Sequence, residues 1–128
     1  MNINAYLGLQ FNPSGDNASE GFNCFTFMRH VRKSLFGKDT PVVGDNYMGE
    51  SSEDCQRGLL ANRQLYESVR SPKDGDIVVC GDGVHVGIYI DGGCLHCMRG
   101  GIHKAGSSFN TLAVIERLYG KINFIRER

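Results

Sequence analysis

Apolar side chains in the first third of the chain recur at the spacing of a helix. The stripe follows positions i, i+3, i+4, i+7 and i+11 and comprises Cys24, Phe27, Met28, Val31 and Leu35. This pattern predicts an amphipathic helix over residues 23–36, with Asn23 as its N-cap and Gly37 at its end. Cys24 is therefore expected in the first turn, on the side that faces the core.

A second stripe of helical spacing begins after residue 51. Its members are Cys55, Leu59, Tyr66 and Val69. They predict a helix over residues 52–70, which Ser51 or Ser52 can cap. Residues 11–21 and 37–50 are rich in turn-forming side chains and are predicted to be loops.

Downstream of Ser71 and Pro72 the pattern changes to the alternation typical of β-strands. Strands are predicted at residues 77–80, 84–90, 93–98, 112–115 and 122–125. In the second of these, one face carries Val84, Val86, Ile88 and Ile90, and the other carries His85, Gly87 and Tyr89. Because helices come first and antiparallel strands follow, the sequence predicts an α+β fold with N-terminal helices packed on an antiparallel β-sheet.

Composition narrows the class of protein. A chain of 128 residues with 41% hydrophobic and 22% charged residues fits a single globular domain over residues 1–128. Because 14 Lys and Arg balance 14 Asp and Glu, no nucleic-acid partner is expected, and the basic run 29–33 is interpreted as a solvated helix face. No apolar run is long enough for a membrane span. The N-terminus does not resemble a secretory signal, so synthesis in the cytoplasm is expected.

The cysteines are odd in number, which argues against a framework of disulfides in a chain without a signal. They are Cys24, Cys55, Cys80, Cys94 and Cys97. A metal site built from Cys94, His96 and Cys97 is disfavoured, because Cys94 and Cys97 point to opposite faces of a strand. Cys55 and Cys80 are interpreted as core residues.

The pair Asp91-Gly92 is a strong signal for a two-residue hairpin turn. That turn makes His96 a diagonal neighbour of His85 on one face of the sheet. Gly87, which has no side chain, leaves room between the two imidazoles. A three-residue turn would instead place His96 on the other face, and the sequence leaves both registers open.

A cysteine at the N-terminus of a helix has a lowered pKa, because the helix dipole favours the thiolate. If the helix that begins at Cys24 packs on the sheet face that carries His85, the thiol and the imidazole meet. Cys24 is then the nucleophile, His85 the base and His96 the residue that orients His85. The backbone N–H of Cys24 is a natural oxyanion donor. The pattern equally allows Cys24 to be a buried structural thiol.

Three segments resemble the NlpC/P60 family of cysteine peptidases. Residues 21–27 resemble its Gly-x-Asp-Cys-x-Gly-Phe/Leu segment, residues 72–79 its Pro-x-x-Gly-Asp-Leu-Val segment, and residues 85–92 its His-Val-Gly-Ile-Tyr segment. His96 stands where the family often has its third catalytic residue. The resemblance spans nearly the whole chain and is greatest to the phage-tail subgroup of the family.

This resemblance implies a papain-like NlpC/P60 fold and a cysteine endopeptidase that hydrolyses the stem peptides of bacterial peptidoglycan. It implies no metal and no cofactor. The expected partners are the peptidoglycan peptide and other phage-tail proteins. The expected location is the virion, or the bacterial cytoplasm before assembly.

Departures from the family pattern lie around the nucleophile. Asn23 stands where the family usually has Asp, and Thr26 where it usually has Gly. The family's oxyanion-assisting Tyr is replaced by Phe11 or Asn12, and a Phe cannot donate a hydrogen bond. Asn12 is the predicted substitute, and Asn23 and Gly87 complete the predicted oxyanion and substrate-binding group. A catalytically inactive structural module of a phage tail with the same fold is the alternative.

Overall fold

The computed structural model describes residues 2–44, 48–100 and 105–128. Over these residues the α-helices are α1 (Cys24–Phe36), α2 (Ser52–Ala61) and α3 (Leu112–Tyr119). The strands are β1 (Asp16–Asn17), β2 (Gly21–Phe22), β3 (Tyr66–Val69), β4 (Ile77–Cys80), β5 (His85–Ile90), β6 (Gly93–Met98), β7 (Gly106–Thr111) and β8 (Ile122–Glu127). Short 3₁₀ helices cover Asn4–Tyr6 and Arg63–Leu65. None of the described helices has the length and apolar character needed to cross a membrane.

Six strands form one antiparallel sheet in the order β3-β8-β4-β5-β6-β7, and β1 pairs separately with β2. Helices α1 and α3 cover opposite faces of the larger sheet. On the α1 side the sheet contributes Val86, Ile88, Ile90 and Leu95 to the core. On the α3 side the cluster comprises Val78, Cys80, Cys94 and Ile115. The predicted α+β class with an antiparallel sheet is confirmed.

Helix α1 begins and ends where the sequence predicts. The side chain of Asn23 accepts a hydrogen bond from the N–H of Thr26 (2.9 Å), and the hydroxyl of Thr26 accepts one from the N–H of Asn23 (3.0 Å). This reciprocal capping box satisfies two donors at the helix start. Gly37 ends the helix in the left-handed conformation, with φ 66°. Local signals at both ends thus make Cys24 the first helical residue.

The hairpin that joins β5 to β6 has the predicted two-residue turn, since the residues on either side of it pair with each other. Asp91 and Gly92 have φ values of 48° and 81°, both positive, as a type I′ turn requires. The register in which His85 and His96 share a face is therefore confirmed, and the alternative three-residue turn is wrong.

Three elements differ from the sequence prediction. The helix predicted over residues 52–70 ends at Ala61, and the chain then forms an edge strand, β3, that pairs with β8. Residues 112–115 begin a helix instead of a strand, because Thr111 caps it by accepting a hydrogen bond from Val114 (3.3 Å). Strand β7 was not predicted. The apolar runs here are too short for their period to separate helix from strand.

The interpretation of the basic run 29–33 as a solvated face is wrong for Arg32. Its side chain is fully buried, and its guanidinium donates to both carboxylate oxygens of Glu127, at 2.8 and 2.7 Å. Beside this pair, buried Asp76 accepts hydrogen bonds from Arg126 at 3.1 and 2.7 Å. We call these four residues the ion-pair cluster. It ties α1 to β8 through paired opposite charges, in which Arg32 and Asp76 are fully buried while Glu127 and Arg126 are 27% and 24% exposed.

Candidate active site

The thiol of Cys24 opens on a pocket of about 200 Å³, although the residue also contacts the core. Cys24 is half-buried, whereas the other four cysteines are buried. The pocket is also lined by His85 from the start of β5 and by Tyr119 from the end of α3. The first N–H groups of a helix have no partner within the helix, so the start of α1 can supply a donor beside this thiol.

His85 and His96 meet as the hairpin register predicts. Nε2 of His85 lies 2.8 Å from Nδ1 of His96, and the rings are nearly perpendicular, at 83°. His85 is 5% exposed and His96 is fully buried. Gly87 makes this approach possible, because a Cβ there would collide with Sγ of Cys94 and would lie 3.0 Å from Cβ of His96.

Asn110 on β7 continues this chain of hydrogen bonds. Its Oδ1 lies 2.8 Å from Nε2 of His96. A carbonyl oxygen can only accept, so Nε2 of His96 carries the proton and its Nδ1 is an acceptor. Nε2 of His85 therefore donates to His96, which leaves Nδ1 of His85 to exchange a proton with Cys24. The amide thus fixes the tautomer of both imidazoles.

His96 is held in its neutral form. Burial and the nearby charge of His85 lower the pKa of His96 to about 4, against the opposing effect of its hydrogen bond to Asn110. At neutral pH His96 is therefore an uncharged acceptor for the proton on Nε2 of His85. A neutral His96 can hold His85 in place by accepting its hydrogen bond, and it places no second positive charge beside His85.

The surroundings of Cys24 favour its charged form, in contrast to those of His96. A hydrogen bond from Cys55 holds the pKa of the Cys24 thiol well below its ordinary value, against the opposing effect of burial. A hydrogen bond from His85, its positive charge and the N–H of Val86 lower that pKa further. The hydrogen bond to Cys24, together with burial, raises the pKa of Cys55, so Cys55 remains a thiol that donates to a thiolate.

The remaining buried thiols contrast with Cys24. Burial raises the pKa of Cys97 to about 12, and a hydrogen bond to Cys94 together with burial raises that of Cys80. Because the thiolate is the reactive form of cysteine, the thiol of Cys24 is more reactive than those of Cys55, Cys80 and Cys97. The interpretation of Cys55 and Cys80 as buried side chains is correct, but it missed the contact of Cys55 with Cys24.

A scan of protein-family models finds none that matches this chain. A search of curated proteins finds no match either. The geometry of the site therefore carries the functional argument.

The route by which Cys24 reaches His85 differs from the expected one. Side chains alternate along β5, so Val86 points toward α1 while His85 points to the face that α3 covers, where it stacks on Tyr119. The sequence leaves open which sheet face α1 covers, and in the structure it is not the face that carries His85. The thiol and the imidazole still interact because His85 is the first residue of β5 and Cys24 the first of α1.

The three residues predicted to bind the oxyanion or substrate have other contacts in the structure. Asn12 donates to the carbonyl of Glu20 (2.9 Å) and accepts from the N–H of Ser14 (3.0 Å). Asn23 is buried and caps α1, and Gly87 is buried beneath the histidine pair. Their binding role stays a prediction, while their structural roles are clear.

The segment Cys94 to Cys97 shows the predicted opposition of faces. Cys94 belongs to the cluster on the α3 side of the sheet and Cys97 to the cluster on the α1 side. Within residues 2–44, 48–100 and 105–128, no group of three His, Cys, Asp or Glu side chains could hold a metal ion. His103, which the sequence places in a turn outside the site, lies outside the described residues.

Asn110, Tyr119 and Cys55 are the site residues that sequence reasoning missed. Asn110 lies on β7, which has no clear strand pattern. Tyr119 ends a helix that the sequence does not predict, since residues 112–115 are predicted to be a strand. Cys55 had a signal, because it stands on the predicted inner stripe of α2, but nothing in the spacing related it to Cys24.

Proposed function

We propose that this protein is a cysteine peptidase in which Cys24 is the nucleophile, His85 the acid and base, and His96 the residue that orients His85. One observation carries the proposal: a helix-terminal thiol with a lowered pKa adjoins an imidazole whose far nitrogen is hydrogen-bonded, at 2.8 Å, to a neutral histidine. Nucleophile, base and orienting residue in this sequence are the arrangement of covalent acyl transfer.

The geometry supports the following reaction. The thiolate of Cys24 attacks the carbonyl carbon of a peptide bond, and the backbone N–H of Cys24 stabilises the oxyanion. His85 gives its proton to the departing amine as the C–N bond breaks, leaving a thioester. His85 then takes a proton from water, whose oxygen attacks the thioester, and the C–S bond breaks to release the acid and restore the thiolate.

Resemblance supplies the substrate class. Segments 21–27, 72–79 and 85–92 resemble the NlpC/P60 family, and we propose a papain-like NlpC/P60 fold that acts on peptidoglycan stem peptides as a component of a phage tail. The side chain of Thr26, which departs from the family pattern, closes the capping box and also donates to the carbonyl of Gly15 (2.7 Å). That departure therefore has a structural reason and leaves the nucleophile in place.

Digestion of purified peptidoglycan, followed by mass spectrometry, tests the proposal. The native protein should release new stem-peptide fragments, and Cys24→Ala should lower their yield by at least about 10⁴-fold, since no thiolate remains. Cys80→Ala, which removes a buried thiol that does not line the pocket, is the matched control and should retain activity. Unchanged hydrolysis by Cys24→Ala would exclude the mechanism.

A structural module of a phage tail without turnover is the second candidate. Phe11 lines the pocket beside Cys24 and cannot donate the hydrogen bond that the family's Tyr supplies. Absence of fragments from the native protein would favour this candidate. So would a Cys24 thiol that iodoacetamide alkylates only near and above the ordinary thiol pKa of about 8.5.

A further inference from the structure

Tyr119 lies against the proposed base in a manner that the peptidase mechanism above does not use. Its ring is stacked on His85, with ring centroids 4.2 Å apart and an angle of only 8° between the planes. It also meets the edge of His96, at 6.2 Å and 85°. Tyr119 is the last residue of α3, and its ring covers one face of His85 on the side of the sheet opposite α1.

On the basis of the proposed function, we infer that Tyr119 is a positioning residue. The face of its ring stabilises the imidazolium form of His85 and thereby favours the thiolate of Cys24. A cation within about 6 Å of an aromatic face is attracted by the negative charge of that face. The same contact holds the imidazole in one plane, with its two nitrogens directed at Cys24 and His96.

The other ionisable groups near His85 do not supply this effect in the same way. From the surrounding elements these groups are Cys24, Cys55, Cys80, His96, Cys97, Arg99 and Tyr119. The described residues that line the pocket include no carboxylate. The contacts that favour a cation on His85 are the Cys24 thiolate, the acceptor nitrogen of His96 and the aromatic face of Tyr119. Burial raises the pKa of Tyr119, so the ring is a neutral phenol at neutral pH.

Alkylation of Cys24 by iodoacetamide as a function of pH tests this role without any substrate. Tyr119→Leu keeps an apolar cover but removes the aromatic face, and it should raise the pKa of the Cys24 thiol by about half a unit or more. Tyr119→Phe keeps the face and should leave the profile unchanged. Phe124→Leu, which removes a ring packed on Tyr89, is the matched control and should also leave it unchanged.

The outcomes separate this inference from the proposed function. An unshifted profile in Tyr119→Leu, or an equal shift in Tyr119→Phe or Phe124→Leu, would overturn the role of the aromatic face. Fragments from peptidoglycan together with an unshifted profile would overturn this inference alone. A shifted profile without any fragments would support this inference and count against the peptidase.

A measurement on the native protein covers the case in which Tyr119→Leu does not fold. Protons of an imidazole that lies over an aromatic face resonate upfield of those of free histidine. The His85 ring protons, assigned by comparison with His85→Gln, should show this displacement in the NMR spectrum, and Tyr119→Phe should retain it. Ordinary chemical shifts for these protons would show that the stack does not form, and the inference would be overturned.

Discussion

The first and third turns of α1 place side chains in polar regions of opposite character. At its first residue, Cys24 faces His85 beside an open pocket. Eight residues later, about 12 Å along the helix axis, Arg32 enters the ion-pair cluster, where its guanidinium is fully buried. One helix thus contributes to an ionisable site beside an open pocket and to a cluster in which opposite charges are paired.

The two regions differ in how fully protein contacts enclose their central polar group. Arg32 donates to Glu127, to the carbonyls of Gly75 and Asp39 and to the hydroxyl of Thr40, all at 2.7–2.9 Å. In the candidate site, hydrogen bonds run from Asn110 through the histidines to Cys24, which also accepts from Cys55 and from the N–H of Val86, but one side of its thiol borders the open pocket. The cluster is therefore enclosed by its own contacts, whereas the site leaves a group that a ligand can reach.

The largest effect on stability is expected from Arg32→Met, which fills similar space without the charge. It leaves Glu127 and two backbone carbonyls without their donor, and breaking a buried ion pair in this way costs about 3–5 kcal/mol. Urea denaturation measures the loss. Alkylation of Cys24 in the folded variant should keep its native pH profile, because the cluster does not contact the thiol.

Arg57→Met is the control for that experiment. Arg57 pairs with Asp54 on the exposed surface of α2, at 3.2 Å, and exposed pairs contribute about 0–1 kcal/mol. A similar loss of stability in both variants would contradict the special role of the ion-pair cluster. A changed Cys24 profile in Arg32→Met would contradict the separation of the two regions.

The parts that sequence predicts are those fixed by local signals. The start of α1 follows from the Asn23 cap, and the histidine pair from the turn at Asp91-Gly92; both lie within a few residues of the feature they determine. Cys24, His85 and His96, the proposed nucleophile, base and orienting residue, could therefore be named from the sequence.

The parts that sequence does not predict depend on contacts between distant segments. Asn110 and Tyr119 come to the histidines from β7 and α3, which carry no local pattern that relates them to the site. Arg32 looks like a surface residue in a basic run, because its partner Glu127 stands near the other end of the chain. The sheet face that each helix covers is likewise set by tertiary packing, and the sequence leaves that face open for α1.

Asp76 should make the stability that the ion-pair cluster provides depend on pH. Burial acts to raise the pKa of Asp76, but hydrogen bonds from Arg126 and from the N–H of Lys73 outweigh it and lower that pKa. Its contribution is therefore complete above about pH 4, the ordinary value for aspartate, and is lost as the pH falls through the lowered folded-state pKa.

Asp76→Asn should cost about 2 kcal/mol at pH 7 and should weaken the loss of stability in acid. Denaturation midpoints measured between pH 7 and pH 2 provide the test. Asp39→Asn, which alters an exposed pair with Lys33, should change little at any pH. A native and an Asp76→Asn curve that remain parallel to pH 2 would contradict the assignment.

The smallest effect is expected at Asn110, which belongs to the candidate site and not to the ion-pair cluster. Asn110→Leu removes the acceptor for Nε2 of His96, so the tautomers of both histidines lose their constraint. The unmade hydrogen bond corresponds to about a tenfold loss of peptidoglycan hydrolysis. It also leaves a buried N–H of His96 without its acceptor, which should lower the unfolding free energy by about 1 kcal/mol. Asn110→Gln keeps a neutral acceptor oxygen without adding a charge beside His96 and should restore part of the rate. If Asn110→Gln were as slow as Asn110→Leu, proton placement by this amide would not explain the effect, and the hydrogen-bond chain would end at His96.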